Sequence, residues 1–406
     1  MIDKKKSSKI HILFFLSTYF LMFITGLGVL STGAILPEIV KEFDISYDIA
    51  GVLLSLLAIG NMSALVVSGY LSDFIGRKVI LLIGSLLITA GFGSMTFASS
   101  APVLSVLIFI AGCGWGVNNI VSGIMNDITG GSAKQLNRLH IFFAAGAFTA
   151  PFFVIFADMI GMGWRTVCGT IGILAACSTI LLTVIKLPAA QKSRQKQKGN
   201  HKDKDKKNRV SGYVLFEPFT HMRYYVFLAI SFTYTAVETV MNGWITTYFQ
   251  DTGILTPVEA KTVLSLVWAS IMTGRIAFSF IGDKIKKEYI ITACSFVILI
   301  FTVVLIQLDS FISVAICVFM LGLGLSAVIP TNLANADVTV KGSGIAMGIL
   351  LSSGGLGAAA GPVITGMTAE HINISASMWV AAAFAFILML SAFVNYILGR
   401  STQTKK

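Results

Sequence analysis

The chain has 406 residues, of which 55% are hydrophobic and 12% are charged, and its formal net charge is +11. Ordinary soluble domains carry about 25% charged residues, so this composition excludes a water-soluble globule and indicates a protein that lies in lipid. The positive charge would indicate nucleic-acid binding in a soluble protein, but here it follows the sides of a membrane, and no nucleic-acid partner is expected.

Apolar segments of about 20 residues, long enough to cross a hydrocarbon core of about 30 Å, recur along the whole chain. Lipid offers the backbone no hydrogen-bond partners, so segments of this length are predicted to be helices. The twelve predicted spans lie near residues 12–36, 48–72, 79–98, 102–126, 137–157, 165–186, 223–249, 259–281, 289–308, 311–334, 343–368 and 374–398. The lipid bilayer is therefore a predicted partner.

The basic residues sort to one side of these spans. When the amino terminus is placed in the cytoplasm, only Lys41, Arg165 and Lys261 fall outside. Arg275 lies within a span, and the remaining 26 of the 30 Lys and Arg residues are cytoplasmic. This bias follows the positive-inside rule and predicts a multi-pass protein of the cytoplasmic membrane with both termini in the cytoplasm. The first apolar run lacks a small-residue cleavage site, so no cleaved signal peptide is expected.

A charged, apolar-poor stretch between the sixth and seventh spans cannot bury enough surface to fold alone and is predicted to be a cytoplasmic linker. The halves on either side register at an offset of 210 residues, which places Gly112-Cys113-Gly114 on Gly322-Leu323-Gly324. We therefore predict an all-α membrane protein in which twelve transmembrane helices form two pseudo-symmetric six-helix bundles. The predicted domains are an N-terminal bundle over residues 1–186, a linker over 187–222 and a C-terminal bundle over 223–406.

The segment between the second and third spans reads Gly69-Tyr70-Leu71-Ser72-Asp73-Phe74-Ile75-Gly76-Arg77-Lys78 and combines turn glycines, an acid and a basic pair at the membrane edge. It resembles the signature loop of the major facilitator superfamily. The resemblance implies a secondary transporter of the major facilitator fold, with alternating access and a substrate site between the two halves. We predict a cytoplasmic gate formed by Gly69, Asp73, Gly76, Arg77, Lys78, Asp127, Arg275, Asp283 and Asp337.

Arg275 is the guanidinium that falls within a span. At 1.5 Å per residue it lies about 13 Å nearer the cytoplasm than Glu238. We therefore expect Arg275 to reach toward Asp283 or Asp337 rather than to pair with Glu238.

One carboxylate, Glu238, falls deep inside a span, the seventh. A charge at that depth costs at least about 2.5 kcal/mol, so a proton or substrate role is the first interpretation and a helix-to-helix hydrogen bond is the alternative. His140, near the cytoplasmic edge of the fifth span, is either a packed neutral imidazole or a proton relay. Glu238 and His140 are the proton-coupling candidates.

Polar and aromatic side chains in the fourth, seventh and tenth spans are candidates for substrate binding. Tyr234 and Asn242 share a helix face with Glu238. Amides and hydroxyls donate and accept hydrogen bonds, which suits a neutral polyol, and an indole can stack on a pyranose. Hydrogen bonds between helices without ligand are the alternative, and a membrane-interface position is the alternative for Trp244. The candidates are Trp115, Asn118, Asn119, Ser122, Tyr234, Asn242, Trp244, Asn332 and Asn335.

Small residues predict close helix contacts in two spans, at Gly146-x-x-x-Ala150-Pro151 in the fifth and Gly357-x-x-x-Gly361-Pro362 in the eleventh. Drug/proton antiporters of the superfamily carry a fuller G-x-x-x-G-P signature in the fifth helix. Here Ala150 replaces its second glycine, which weakens an efflux assignment.

A narrower resemblance comes from Asn137 to Ala147, from Gly274-Arg275 followed by Gly282-Asp283-Lys284, and from the Glu238 segment that ends in Gly243-Trp244. These segments are similar to the fucose/glucose proton symporter branch of the superfamily. Fucose-type members place an acid in the fourth helix, where this chain has Val117. Either Glu238 alone couples to protons, or substrate and coupling differ from the family pattern.

The sequence therefore favours import of a small polar solute, such as a hexose, together with a proton. A drug/proton antiporter is the alternative among transporters, and a lipid flippase or a non-transporting membrane sensor is the alternative from another class. The sequence carries no nucleotide-binding loop, so ATP is not the expected energy source. Neither an enzyme activity nor a cofactor or metal is expected, and the protein is expected to act as a monomer. The substrate, the direction of flux and the choice between H⁺ and Na⁺ stay open.

Overall fold

A computed structural model describes residues 2–129, 133–185, 217–281, 284–340 and 343–403, without the side chains of 2–11, 73, 126, 127, 133, 134, 137, 281, 337, 338, 344 and 401–403. Within these residues, twelve helices are long and apolar enough to cross a membrane. This confirms the predicted all-α membrane fold with twelve spans.

The spans are formed in chain order by Ile2–Ala34, Tyr47–Ile75, Arg77–Met95, Ala101–Asn118 continued by Ile120–Thr129, Ala133–Met159, Gly163–Val184, Met222–Asp251, Pro257–Ile281, Lys287–Leu305, Phe311–Val340, Gly344–His371, and Ile374–Ser377 continued by Trp379–Gln403. A short helix, Leu36–Phe43, follows the first span, and a single 3₁₀ turn, Glu217–Thr220, precedes the seventh.

The helices divide into two compact units. The first comprises Met1–Arg194, Gly243–Gln250 and Thr256–Ser265, and the second comprises Gln195–Asn242, Asp251–Leu255 and Leu266–Lys406. The end of the seventh span and the start of the eighth therefore belong to the first unit, although they follow the linker in sequence. The predicted linker, 187–222, lies outside the described residues up to residue 216, and the domain boundaries drawn from the sequence stay a prediction.

Glycines allow the first and fifth spans to approach closely in the first unit. A Cβ atom on Gly146 would overlap the carbonyl oxygen of Phe23, and one on Gly26 would overlap that of Phe143. Each helix thus presents a glycine to the backbone of the other, which is the close contact that Gly146-x-x-x-Ala150 predicts.

The contacts of two glycine pairs repeat at the offset of 210 residues. Gly112 of the fourth span lies against Leu57 of the second, and Gly322 of the tenth lies against Val267 of the eighth. Likewise Gly114 packs on Ile88 and Gly324 packs on Ile298, again 210 residues apart. Since each pair lies within its own unit, the two halves use the same close-packing positions, as the internal repeat predicts.

In the second unit the eleventh span packs closely on the seventh. A Cβ on Gly357 would overlap the carbonyl oxygen of Phe232, and one on Gly361 would crowd Ala236. The Thr235 hydroxyl also donates a hydrogen bond of 2.6 Å to the carbonyl oxygen of Gly354. These contacts fix the face of the seventh span that carries the candidate site.

One residue, Gly76, separates the second span from the third. Its φ of +85° and ψ of 144° lie in a region that residues with a side chain rarely adopt. Two residues later, the Lys78 ammonium donates to the carbonyl oxygen of Thr183 at 2.9 Å, near the carboxyl end of the sixth span. A cation is favourable at that helix end, where the last carbonyl groups have no partner within the helix. The tight turn predicted in the signature loop is confirmed.

Candidate functional site

A stripe of polar side chains runs along the seventh span, Met222–Asp251. Glu238 is half-buried, and its Oε1 lies 3.1 Å from the hydroxyl of Tyr234, one helical turn earlier. The Tyr234 hydroxyl also lies 2.8 Å from the carbonyl oxygen of Leu325 in the tenth span, to which it can donate. Because Tyr234 is itself buried, this pair of contacts holds one side of the Glu238 carboxyl group in a defined position.

Arg275 acts electrostatically on the same group. Its guanidinium in the eighth span interacts through its charge with both Glu238 and Tyr234. Among the described residues, no ion pair or hydrogen bond joins the two side chains, so the charge acts over a longer distance and the expectation that they do not pair directly is not contradicted. Asp283 and the side chain of Asp337, the partners expected from the sequence, lie outside the description.

Asn242, one turn after Glu238, contacts a residue that sequence reasoning missed. Its Oδ1 accepts a hydrogen bond of 3.0 Å from the indole nitrogen of Trp268 in the eighth span. Trp268 is only 5% exposed and lies near the middle of Pro257–Ile281. Tryptophans usually lie at the ends of membrane spans, so a tryptophan at mid-span was the signal that could have found it.

The fourth-span candidates lie in the first unit, where the helix is interrupted at Asn119. The Trp115 ring stacks on Phe143 of the fifth span, with centroids 6.4 Å apart. Asn118 is fully buried against Gly84 of the third span, and neither of its amide atoms has a hydrogen-bond partner among the described residues. Asn119 and Ser122 are half-buried.

The two tenth-span asparagines form contacts inside the second unit. The Asn332 amide nitrogen donates to the carbonyl oxygen of Phe227 and to the Ser231 hydroxyl, both at 3.1 Å, so it joins the tenth span to the seventh. Asn335 lies one turn further, where its Oδ1 accepts from Arg223 at 3.4 Å.

Arg223 is the centre of a polar network at that end of the second unit. It forms an ion pair of 2.5 Å with Glu288 and donates to Asn395 at 3.0 Å, so it connects the starts of the seventh and ninth spans with the end of the twelfth. Its contact with Asn335 makes that residue part of this network.

The remaining seventh-span candidate, Trp244, lies in the first unit. It is fully buried, with its ring centroid 6.1 Å from that of Tyr47. Because the Trp244 side chain is covered by protein, its burial argues against the alternative of a tryptophan at the membrane interface.

The other predicted gate and coupling residues lie near span ends. His140 and Arg77 are exposed, and each has an interaction partner. Gly69 lies on the second span, where a Cβ atom would meet nothing within 4 Å. The side chains of Asp73 and Asp127 lie outside the description. Of the predicted gate residues, the structure shows the Gly76 turn and the contact of Lys78 with the sixth span, and their gating role stays a prediction.

A further group of charges, which we call the Lys261 cluster, consists of Lys261, Glu38 and Asp158. Lys261 is 1% exposed, and its Nζ lies 2.5 Å from Glu38 Oε1 and 2.5 Å from Asp158 Oδ2. Burial raises the pKa of Glu38, although the charge and hydrogen bond of Lys261 oppose that shift. The positive-inside bias placed Lys261 outside the membrane, but it did not indicate the association of Lys261 with Glu38 and Asp158.

A second ion pair, Arg165 with Glu42, lies in the same unit at 2.6 Å. Burial acts to raise the pKa of Glu42, but hydrogen bonds from Arg165 and Trp164 outweigh it and lower the pKa. Two of the three basic residues that depart from the positive-inside bias, Arg165 and Lys261, are thus paired with acids. Their departure from the positive-inside bias was the feature of the sequence that could have indicated these ion pairs.

Twelve membrane-crossing helices among the described residues, with close-packing positions repeated at one offset, define a multi-pass membrane protein, and a carboxylate inside one span is typical of a transporter. The sequence matches the Major Facilitator Superfamily over residues 18–343, and the chain belongs to this family of transporters.

Among its relatives, the sialic acid transporter NanX of Escherichia coli (strain K12) is 24% identical over 333 residues, which cover 79% of this chain and 78% of that protein. The structure of the nucleoside transporter NupG matches with a TM-score of 0.72 at 13% identity, over 96% of this chain and 98% of that one. A structure of the E. coli fucose:proton symporter FucP matches with a TM-score of 0.58 at 16% identity, over 94% of this chain and 98% of that one. At these identities the two structures show a shared fold.

Proposed function

We propose that this transporter imports a small polar solute of the sugar class together with a proton, and that Glu238 carries the proton. The supporting observation is the position of Glu238. Among the described spans, it is the only carboxylate more than three residues from a span end. A carboxylate within a membrane span is costly and calls for a functional explanation.

The surroundings of Glu238 suit a group that gains and loses a proton. Tyr234 is a hydrogen-bond neighbour, and the Arg275 charge acts on the same carboxyl group. The tyrosine hydroxyl can donate to a carboxylate or accept from a carboxylic acid, so it accommodates both protonation states. The Tyr234 contact can therefore persist while the carboxyl group gains or loses a proton.

The solute class is proposed from the chemistry beside Glu238. Asn242 and Trp268 place an amide and an indole one turn along the same stripe. An amide pairs with hydroxyl groups, and an indole face packs on the apolar face of a sugar ring. Two of the relatives carry names that refer to sugars, sialic acid in one and fucose in the other, which supports the same class.

The cytoplasmic gate and the orientation belong to the same proposal. The signature segment Gly69–Lys78 would gate the cytoplasmic side, with Gly76 allowing the turn and Lys78 attached to the sixth span. Both termini would lie in the cytoplasm of a monomer, because the basic residues follow the positive-inside bias.

A transport assay in proteoliposomes tests this proposal. Wild-type protein should accumulate one member of a panel of labelled sugars when an inward proton gradient is imposed. Glu238→Gln retains the size and hydrogen bonding of the protonated acid but cannot release a proton. It should abolish accumulation and preserve counterflow exchange, which needs alternating access without net proton movement.

The matched control is Glu259→Gln. Glu259 caps the start of the eighth span through Thr256 and lies at the membrane edge, so its loss should leave accumulation unchanged. Undiminished gradient-driven accumulation by Glu238→Gln would exclude Glu238 as the proton carrier. Absence of uptake across the sugar panel, with accumulation of lipophilic cations when the proton gradient is reversed, would replace the sugar assignment with drug/proton antiport.

A further inference from the structure

The Lys261 cluster joins parts of the chain from both sides of the linker. Glu38 lies in the short helix after the first span and Asp158 lies at the end of the fifth, whereas Lys261 lies near the start of the eighth. All three belong to the first unit. Lys261 therefore attaches the eighth span to the amino-terminal half of the sequence.

Lys261 is the buried member of this cluster, and its two partners are partly exposed. The Lys261 side chain is 2% exposed, and the side chains of Glu38 and Asp158 are 27% and 36% exposed. An exposed ion pair contributes little, but removing one partner of a buried pair leaves a charge without compensation and is strongly destabilising. The cluster therefore favours the arrangement in which the three charges are in contact.

Buried hydroxyl groups in the same unit support the inference that these spans can separate. The hydroxyls of Ser31, Thr246, Thr247 and Ser265 are buried and have no hydrogen-bond partner among the described residues. Buried polar atoms normally have partners, so unpaired ones need an explanation. These residues lie in the first, seventh and eighth spans, the elements that the cluster holds together or that adjoin it. Water would satisfy the hydroxyls in a state in which these spans have separated.

We propose that the Lys261 cluster is an ion-paired gate, which holds one face of the transporter closed and must break when that face opens. Alternating access requires each face to open in turn, and we infer that the eighth span then separates from the amino-terminal half of the sequence, to which Lys261 attaches it. With cytoplasmic termini this face is the external one, opposite the signature loop. The inference rests on family membership and not on the sugar or the proton proposed above.

A thiol at Ser265 serves as the reporter of opening. Ser265→Cys, in a background with the five native cysteines replaced, places a thiol at a buried position one helical turn from Lys261. A charged methanethiosulfonate reagent can reach it only when the face opens. Detergent-purified protein exposes both faces, so the labelling rate depends neither on orientation nor on substrate.

Lys261→Met should speed labelling by about tenfold, because it removes both ion pairs and leaves two carboxylates that repel each other, which shifts the population toward the open state. Glu38→Gln combined with Asp158→Asn keeps the shape of both side chains and should speed labelling by a similar factor. Lys41→Met is the matched control, since Lys41 lies exposed on the same short helix, and it should leave the rate unchanged.

Charge exchange separates a gate from a folding defect. Glu38→Lys combined with Lys261→Glu should label more slowly than Lys261→Glu alone, since it restores one ion pair. Unchanged labelling of both Lys261→Met and the Glu38→Gln, Asp158→Asn variant would overturn the gate. Labelling of the exchanged protein at the rate of the single variant would also overturn it. Failure of sugar uptake or of proton coupling leaves this result intact, because the assay uses neither.

Discussion

Asn242 and Asn332 are both amides inside membrane spans, but their hydrogen bonds use different atoms. Asn332 donates through its nitrogen to two groups of the seventh span, so its amide is part of a helix contact. The Asn242 oxygen accepts from Trp268, and the Asn242 amide nitrogen has no hydrogen-bond partner among the described residues. An amide nitrogen with unused donor capacity beside a carboxyl group is suited to bind a solute hydroxyl.

The two asparagines are therefore expected to respond differently to alanine. Asn242→Ala should weaken solute binding by about 1–3 kcal/mol, since the solute loses a hydrogen-bond partner, and it should also lower the unfolding temperature, because the buried Trp268 indole loses its acceptor. Asn332→Ala should lower the unfolding temperature and leave affinity near that of the wild type. Equilibrium binding and thermal unfolding of the purified variants measure both effects. Equal losses of affinity in the two variants would place both amides at the solute.

Among the helices, the eleventh span contains two glycines with opposite surroundings. Gly357 lies against the backbone of the seventh span, whereas a Cβ on Gly348 would meet nothing within 4 Å. Overpacking at a tight backbone contact typically costs about 1–3 kcal/mol. In a helix interior with open space, alanine is more favourable than glycine by up to about 1 kcal/mol.

Gly357→Ala should therefore destabilise the protein and Gly348→Ala should not. The unfolding temperature in detergent should fall for the first variant and stay level or rise for the second. Because both changes add one methyl group to the same helix, a difference between them reports the helix contact and not composition. An equal response would mean that the seventh and eleventh spans are not held by this contact.

For the whole molecule, the charge distribution makes a prediction about orientation. Asp309 lies in an exposed connection between the ninth and tenth spans, which should face outward. Lys198 belongs to the predicted linker, which should face the cytoplasm. Each is replaced by cysteine in turn, Asp309→Cys first and Lys198→Cys second. In a cysteine-free background, an impermeant maleimide applied to intact cells should label the first and spare the second until the cells are permeabilised. The reverse pattern would invert the proposed topology.

The sequence alone determined the membrane class and the twelve spans, because apolar length and the backbone's need for internal hydrogen bonds leave helices as the solution. It also determined the repeat, since a constant offset of 210 residues can be read from the sequence and its glycine contacts recur in both units. Glu238 was identifiable for a similar reason. A charge deep in an apolar run needs no partner to be recognised.

Only the tertiary structure decided which side chains meet. Helical periodicity assigns a residue to a face and a depth within its own helix, but it does not set the offset or rotation of one helix against another. The Trp268 contact with Asn242, the action of Arg275 on Glu238 and the Lys261 cluster all depend on that offset. In the Lys261 cluster, Lys261 and Glu38 are 223 residues apart in sequence. Their ion pair exists because folding brings the start of the eighth span into the first unit.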